Sequence, residues 1–562
     1  MSLNPKTDMQ RRDFLNIFNA PTNNKNAFPE NPPSTKGLTP YTGDWGFEEA
    51  SHLLRRTTFG PSLEQLNQVA AMDLDSAITL IFAPQPLPTP PLNANYPDDT
   101  STPIGESWVG KPLNAINTNN HKQSRRKSIL SWNKEVLSLE GISIREKMTL
   151  FWHNHFATES LTVPEAVYRH ITLLRTHALG NFRQLTKEIT VDAHMLKYLN
   201  GNENVKAEPN ENYARELLEL FTVAKGPLIG AGDYSTYTEQ DVQAGAKILT
   251  GWRIKGQNST DPNQPLEVYF NNAKHSQGTK TLSYHFDQAT IAENGADEYK
   301  DFIDIIFQKS SVAHFIVTKL YRYFVYYDIT PTVKQNIIEP LAQLLIDSNY
   351  EIKPVLEKLF KSEHFFDAPT RGCLIKNSID FIESLFKQLN FQQPTDLVDK
   401  YALNKKVAGY QISLGMKYFA PPSVAGWKAY YQSPTYHRLW INPVTYQKRN
   451  AIKNIFIGNG ISINQTKYKV DLISVIQLTS SPNNPVTVVD ELTKLLLPLP
   501  VNTSLKLFLK TVLIPGLPDF EWTMEYNNYL DNPSDENIRK SLEKKIRNLL
   551  KAILELPEFQ LS

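Results

Sequence analysis

A mostly α protein, a multi-helix globular array with one small inserted β-hairpin, is what this sequence predicts, and three observations predict it. Apolar residues recur at helical spacing over most of the chain beyond Trp45. Strand-like runs are confined to 255–287, too few for an alternating βαβ pattern. With 41% hydrophobic and 21% charged residues, the composition is that of a chain that folds. The 562 residues exceed the roughly 250–300 that one core usually holds. We therefore divide the chain into a polar N-terminal tail over 1–43, a main helical domain over 44–455 and a C-terminal helical region over 456–562.

Residues 16–43 are rich in Asn, Pro, Thr and Gly and read as an extended strap. Phe47, Ala50, Leu53 and Leu54 then mark a helix that Gly60-Pro61 stops, and Ser62 caps a second one over about 63–82. Seven prolines between 84 and 103 remove backbone donors and fix φ, which predicts a long irregular excursion. Helical periodicity returns from Lys122 to about Leu199, with breaks near Gly141, Pro164 and Gly180. Asn210 caps a helix reaching Val223, and Thr238 with Asp241 makes a capping-box pattern before a helix that Gly251 ends. Two β-like runs, Leu266 to Phe270 and Thr279 to Tyr284, predict the hairpin within 255–287. Further helices are expected over 296–347, 352–361, 375–389 and 536–554.

The balance of 59 basic and 58 acidic residues gives a formal charge of +1 and argues against nucleic acid as a partner, since that needs clustered basic excess. No run approaches the ~20 apolar residues that a transmembrane helix needs. A single cysteine, Cys373, excludes an intramolecular disulfide or a cysteine-rich metal centre. Arg11-Arg12 opens like a twin-arginine export signal, but no apolar segment of about 7–15 residues follows. A cytoplasmic chain is expected on that ground, with export through this tail as the alternative.

Four groups of residues carry candidate chemistry. In Phe151-Trp152-His153-Asn154-His155-Phe156, the two histidines lie about 200° apart on a helix, so at most one faces a site. Glu211, Arg215 and Glu219 step at four-residue intervals beside Glu216, an arrangement that could hold a cation, orient a polar ligand or set two carboxyl pKa values apart. A solvated ladder of helix ion pairs uses the same letters. Glu49-x-x-His52 matches one half of a di-iron motif, without a second copy. Trp427 follows Pro421-Pro422 and Gly426, and Trp440 and Arg449 follow His437-Arg438; two Trp with nearby Arg could stack a sugar, or plug a helical core. His155, Glu211, Arg215, Glu216 and Glu219 are therefore the candidate catalytic residues, with a divalent metal as a candidate cofactor. Trp252, Lys280, Trp427, Trp440 and Arg449 are the candidate ligand-binding residues. No HExxH, G-x-S-x-G, P-loop or dinucleotide fingerprint is present.

His52-Leu53-Leu54-Arg55-Arg56 with Phe59-Gly60-Pro61, the 151–156 word, Asn210 to Thr222, Leu249-Thr250-Gly251-Trp252, Gly426-Trp427 and Pro557-Glu558-Phe559-Gln560 appear in that order. Together they resemble the bacterial domain-of-unknown-function family numbered eighteen hundred, from about Trp45 to the C-terminus. The resemblance implies a helical, mostly exported protein with a protein partner encoded nearby, and brings no catalytic residues with it. The sequence departs from the family pattern at His275-Ser276, where His-Asp is usual before the Gly278-Thr279-Lys280 word, and at His194, where a small residue is usual and packing is expected. The function expected is a non-catalytic accessory or binding protein with a polar Glu/Arg/His cleft and an aromatic rim, handling a glycan, peptide or protein partner. A carboxylate- or metal-dependent enzyme (hydrolase or oxidoreductase) using Glu216, Glu219 and His155, and a purely structural module, are the alternatives.

Overall fold

A computed structural model describes residues 36–427 and 439–562. The Arg11-Arg12 pair, most of the tail, and His437 and Arg438 lie outside the described residues. The described chain is mostly α with small two-stranded antiparallel sheets.

The first helix, Phe47–Thr57, has Glu48 and Glu49 in its first turn and Arg55 and Arg56 in its last, which complements its dipole. Every residue from Ala50 to Thr57 is buried. Gly60, at φ +60°, then lets the chain descend onto the Ser378–Gln388 helix. A Cβ there would lie 2.6 Å from Ser384 Cα and 2.7 Å from its nitrogen, both backbone atoms that cannot yield. The helix expected over 63–82 is two, Leu63–Ala70 and Leu74–Ile81. Asp73 breaks it because its carboxylate accepts from the Ser76 N–H at 2.7 Å and starts a new helix.

The Pro-rich excursion is irregular and lies across two long helices, Thr118–Leu139 and Leu397–Ser413. Trp132 Nε1–H donates to Thr89 O at 2.6 Å, and the Leu92 N–H donates to the Tyr401 hydroxyl at 3.1 Å. The helices Arg145–His155, Pro164–Thr176, Phe182–Thr190 and Ala193–Tyr198 follow with breaks where Gly141, Pro164 and Gly180 place them.

The predicted capping box is formed: the Thr238 N–H donates to Asp241 at 2.7 Å, opening Glu239–Ile248. The β insertion differs in its pairing. Glu267–Phe270 pairs with Trp252–Lys255, and Lys280–Thr281 pairs with Thr290–Ile291, so each expected strand finds a partner other than its neighbour. The physical reason is the positive-φ turn at Gly251, which sends Trp252 back as a strand immediately after the helix. Two further hairpins close at 228–234 and 461–468.

Ser378–Gln388 is the central helix, with ten of its eleven residues buried. It nevertheless carries Asp380 and Glu383. Lys134 Nζ meets Glu383 Oε2 at 3.1 Å, and the two side chains are 1% and 0% exposed. Ser138 Oγ at 3.0 Å and Gln411 Nε2 at 3.2 Å donate to the same carboxylate. One apolar interior runs without interruption from Ala50 to Phe559.

Removing one member of this buried pair leaves the other charged in the core, which costs about 3–5 kcal/mol. Glu383→Gln is expected to lower unfolding free energy by that amount in urea titrations, and Lys134→Met added to it to recover most of the loss. A single-variant loss below about 1 kcal/mol would mean that the pair does not hold these helices.

Candidate functional site

The Asn210 side chain accepts from the Asn212 N–H at 2.9 Å and opens the Glu211–Glu216 helix, which widens into a π turn over Leu217–Phe221. Arg215 sits at the centre of the ladder. It donates to Glu211 at 3.0 Å and, through both terminal nitrogens, to the two oxygens of Glu239 at 2.7 Å. The bidentate Glu239 pair raises the guanidinium pKa and lowers that of Glu239. Glu219 is likewise engaged, accepting from the Tyr237 hydroxyl at 2.9 Å and from Lys225 Nζ at 3.1 Å. Glu216 differs from the others: burial, then the neighbouring Glu219 charge, pushes its carboxyl up. Burial and the charges of Glu159 and Glu216 in turn push up the Tyr198 phenol.

His155 is turned into the core and is 1% exposed. Its Nε2–H donates to Phe221 O at 3.0 Å, while Nδ1 accepts from Lys319 Nζ at 2.9 Å. Burial and the Lys319 charge keep the ring well below its ordinary pKa, and burial pushes the Lys319 ammonium down to about 7. Lys319 was missed in the sequence because nothing local marks a lysine whose neighbour is 164 residues away.

The aromatic rim is not formed by the residues expected to form it. Trp427 and Trp440 are 1% and 2% exposed, and Arg449 is fully buried. Trp427 plugs the core beside the 151–156 word: its N–H donates to Asn154 Oδ1 at 2.6 Å, and its ring meets His153 edge-on at 5.7 Å. Arg449 donates to Gln560 Oε1 at 3.0 Å and Lys376 O at 2.6 Å. Trp252 is half-buried against Phe270 and Tyr299. Lys280 is 4% exposed and is not free for a ligand, since its Nζ donates to Glu298 at 2.6 Å beside His275. Glu49 pairs with Arg371 at 2.9 Å and His52 with Phe365 O at 2.9 Å, so the Glu-x-x-His step is used structurally.

Two adjoining hollows open elsewhere, against the Thr118–Leu139 and Leu397–Ser413 helices. One, of about 400 Å³, is lined by Asn95, Tyr96, Asn120, Gln123, Ser124 and Tyr401 among others. The next, of about 380 Å³, shares Tyr401 and runs on past Trp132 and the prolines to Arg145. Among the described residues, no three His, Cys, Asp or Glu side chains are grouped so as to hold a metal ion.

A family model described as a protein of unknown function, DUF1800, matches residues 52–561. The chain belongs to the DUF1800 family. No curated protein and no solved structure matches it.

In this DUF1800 protein the histidines are mostly interior. His153, His170 and His194 pack together with ring centroids 6.2 Å and 5.4 Å apart. His170 is bound to Asp192 at 2.9 Å, and His153 bonds to Tyr418 O. Burial, followed by the His170 charge, holds both His153 and His194 down to about 3. Nothing local in the sequence marks this grouping, because its members come from separate helices.

Below the ordinary histidine value of 6.5 the unfolded chain takes up protons that His153 and His194 refuse in the fold until about pH 3. Each ring therefore removes stability as pH falls through that window, by about 1.4 kcal/mol per pH unit. The urea midpoint is expected to drop between pH 6.5 and 5, and His194→Gln to flatten that slope. A midpoint independent of pH there would contradict neutral buried rings. Separately, Trp427→Ala is expected to cost about 3–5 kcal/mol of stability, read by thermal melting, because it empties a filled core position.

Proposed function

We propose that this protein is a non-catalytic binding protein that holds an uncharged oligosaccharide in the groove between the Pro-rich segment and the Thr118–Leu139 and Leu397–Ser413 helices. One contrast carries the reading. The charged groups expected to do chemistry, Glu211, Arg215, Glu219 and His155, have internal partners, whereas the hollow against the Thr118–Leu139 and Leu397–Ser413 helices is lined mostly by side-chain amides, hydroxyls and tyrosines. Amides and hydroxyls both donate and accept, as sugar hydroxyls do, and Tyr96 adds an aromatic face. Lys127 and Lys405 also line the groove, with no carboxylate in its first part.

A second reading rests on Glu216. A carboxyl held up by burial beside another carboxylate is the pattern of an acid and base pair, so an enzyme acting at Glu216 and Glu219 is the alternative.

Glycan-array binding tests the first reading. Asn120 and Gln123 are exposed, so Asn120→Ala with Gln123→Ala should leave the fold intact. Loss of their hydrogen bonds is expected to weaken binding roughly tenfold. Unchanged binding, or capture of peptides and no glycans, would refute it. Turnover of a bound glycan that Glu216→Gln abolishes would favour the enzyme.

A further inference from the structure

The amide-lined hollow and the one that adjoins it follow the same two helices. On Thr118–Leu139, Asn120, Gln123 and Ser124 line the first, and Trp132, Val136 and Leu139 line the second. On Leu397–Ser413, Lys405 borders the first, Leu397 the second and Tyr401 both. A rise of about 1.5 Å per residue sets Gln123 and Leu139 about 24 Å apart along their helix, so one elongated ligand can reach from hollow to hollow.

The two linings differ in chemistry. Pro86, Pro88, Pro90, Leu92, Val136 and Leu139 wall the second hollow. Proline has no N–H to donate, and two carbonyl oxygens of this stretch already accept. Pro86 O takes Arg145 Nη1 at 2.5 Å, and Thr89 O takes Trp132 Nε1 at 2.6 Å. The four charged side chains of the lining pair with one another, Lys400 with Glu135 at 2.7 Å and Arg145 with Glu140 at 2.6 Å.

Sugar hydroxyls need groups that both donate and accept. The first hollow supplies them from side-chain amides and hydroxyls, whereas the second has only Gln85 and Thr89 besides the shared Tyr401. Leu139 is 70% exposed in the last turn of its helix. Apolar surface left in water at the wall of a hollow is what an apolar group would cover.

We propose that the oligosaccharide is the head of an amphiphilic glycoside, with its sugar in the first hollow and an uncharged aliphatic aglycone in the second. This rests on the glycan reading and adds what the sugar carries. Two acids against two bases leave the second lining without net charge, which favours an uncharged chain over a fatty acid or an amine. Its volume of about 380 Å³ lies within the roughly 300–1,000 Å³ of small-molecule sites, so it takes one molecule and not a bilayer surface.

Titration calorimetry with octyl glucoside below its micelle concentration, methyl glucoside and maltotetraose tests it. Octyl glucoside is expected to bind roughly tenfold or more tighter than methyl glucoside. Leu139→Asn, at an exposed position that the fold tolerates, is expected to cut that advantage at least about threefold and to leave methyl glucoside unchanged. No binding of octyl glucoside, equal affinity for the two glucosides, or an octyl advantage that Leu139→Asn leaves intact would each overturn the aglycone site. A maltotetraose affinity that falls as much on Leu139→Asn would do the same, by making the second hollow another sugar subsite. Failure of the glycan reading itself looks different: octyl glucoside would still respond to Leu139→Asn, but Asn120→Ala with Gln123→Ala would not weaken it. That result would overturn the place of the sugar and keep that of the chain.

Discussion

The architecture depends on charge being carried into the middle of the core by the Ser378–Gln388 helix. A carboxylate in that position is tolerated only if a partner is delivered to it, because an isolated ion in a dry interior costs many kcal/mol. Asp380 and Glu383, three residues apart, call for two such partners, and these come from two other helices: Lys147 from Arg145–His155 and Lys134 from Thr118–Leu139. Gln411 adds a donor from Leu397–Ser413, and Gln388 Nε2 reaches Leu495 O at 2.9 Å. Segments more than 200 residues apart are thereby set in register around one helix, and Gly60 lets a further one touch its backbone.

The same requirement separates two kinds of charged site. On the Glu211–Glu216 helix, positive and negative groups are matched: Arg215 lies between Glu211 and Glu239, and Glu219 between Tyr237 and Lys225. Such a site is satisfied by itself: pairing with Arg215 lowers the Glu239 carboxyl, and burial pushes the Glu216 carboxyl up. Near the N-terminal end of the central helix, by contrast, the buried Arg56 keeps unused donors.

Much of the helical architecture was legible in the sequence, since caps and apolar spacing are local. Ser62 and Asn210 each open a helix as side-chain acceptors, and Thr238 opens one by donating to Asp241. Local signals failed where a neighbour from elsewhere decided the outcome. Both β-like runs were seen, yet their strand partners depended on the turn at Gly251 and on 290–291. Lys280 pairs with Glu298, a carboxylate 18 residues beyond it that nothing local to the lysine marks. The Trp427 and Trp440 motif held both a plug and a rim in its letters, and burial against the 151–156 helix made Trp427 a plug.

What the sequence determined by itself was the helical class, the element boundaries set by capping residues and prolines, and the family resemblance borne by ordered words. Each of these is a property of residues near one another in the chain, where backbone geometry and side-chain capping act. Which charges cancel, which aromatics are buried and where an opening remains were decided only by the tertiary structure. Those outcomes depend on distances between segments hundreds of residues apart, and electrostatic compensation and burial follow distance in space, not position in the chain.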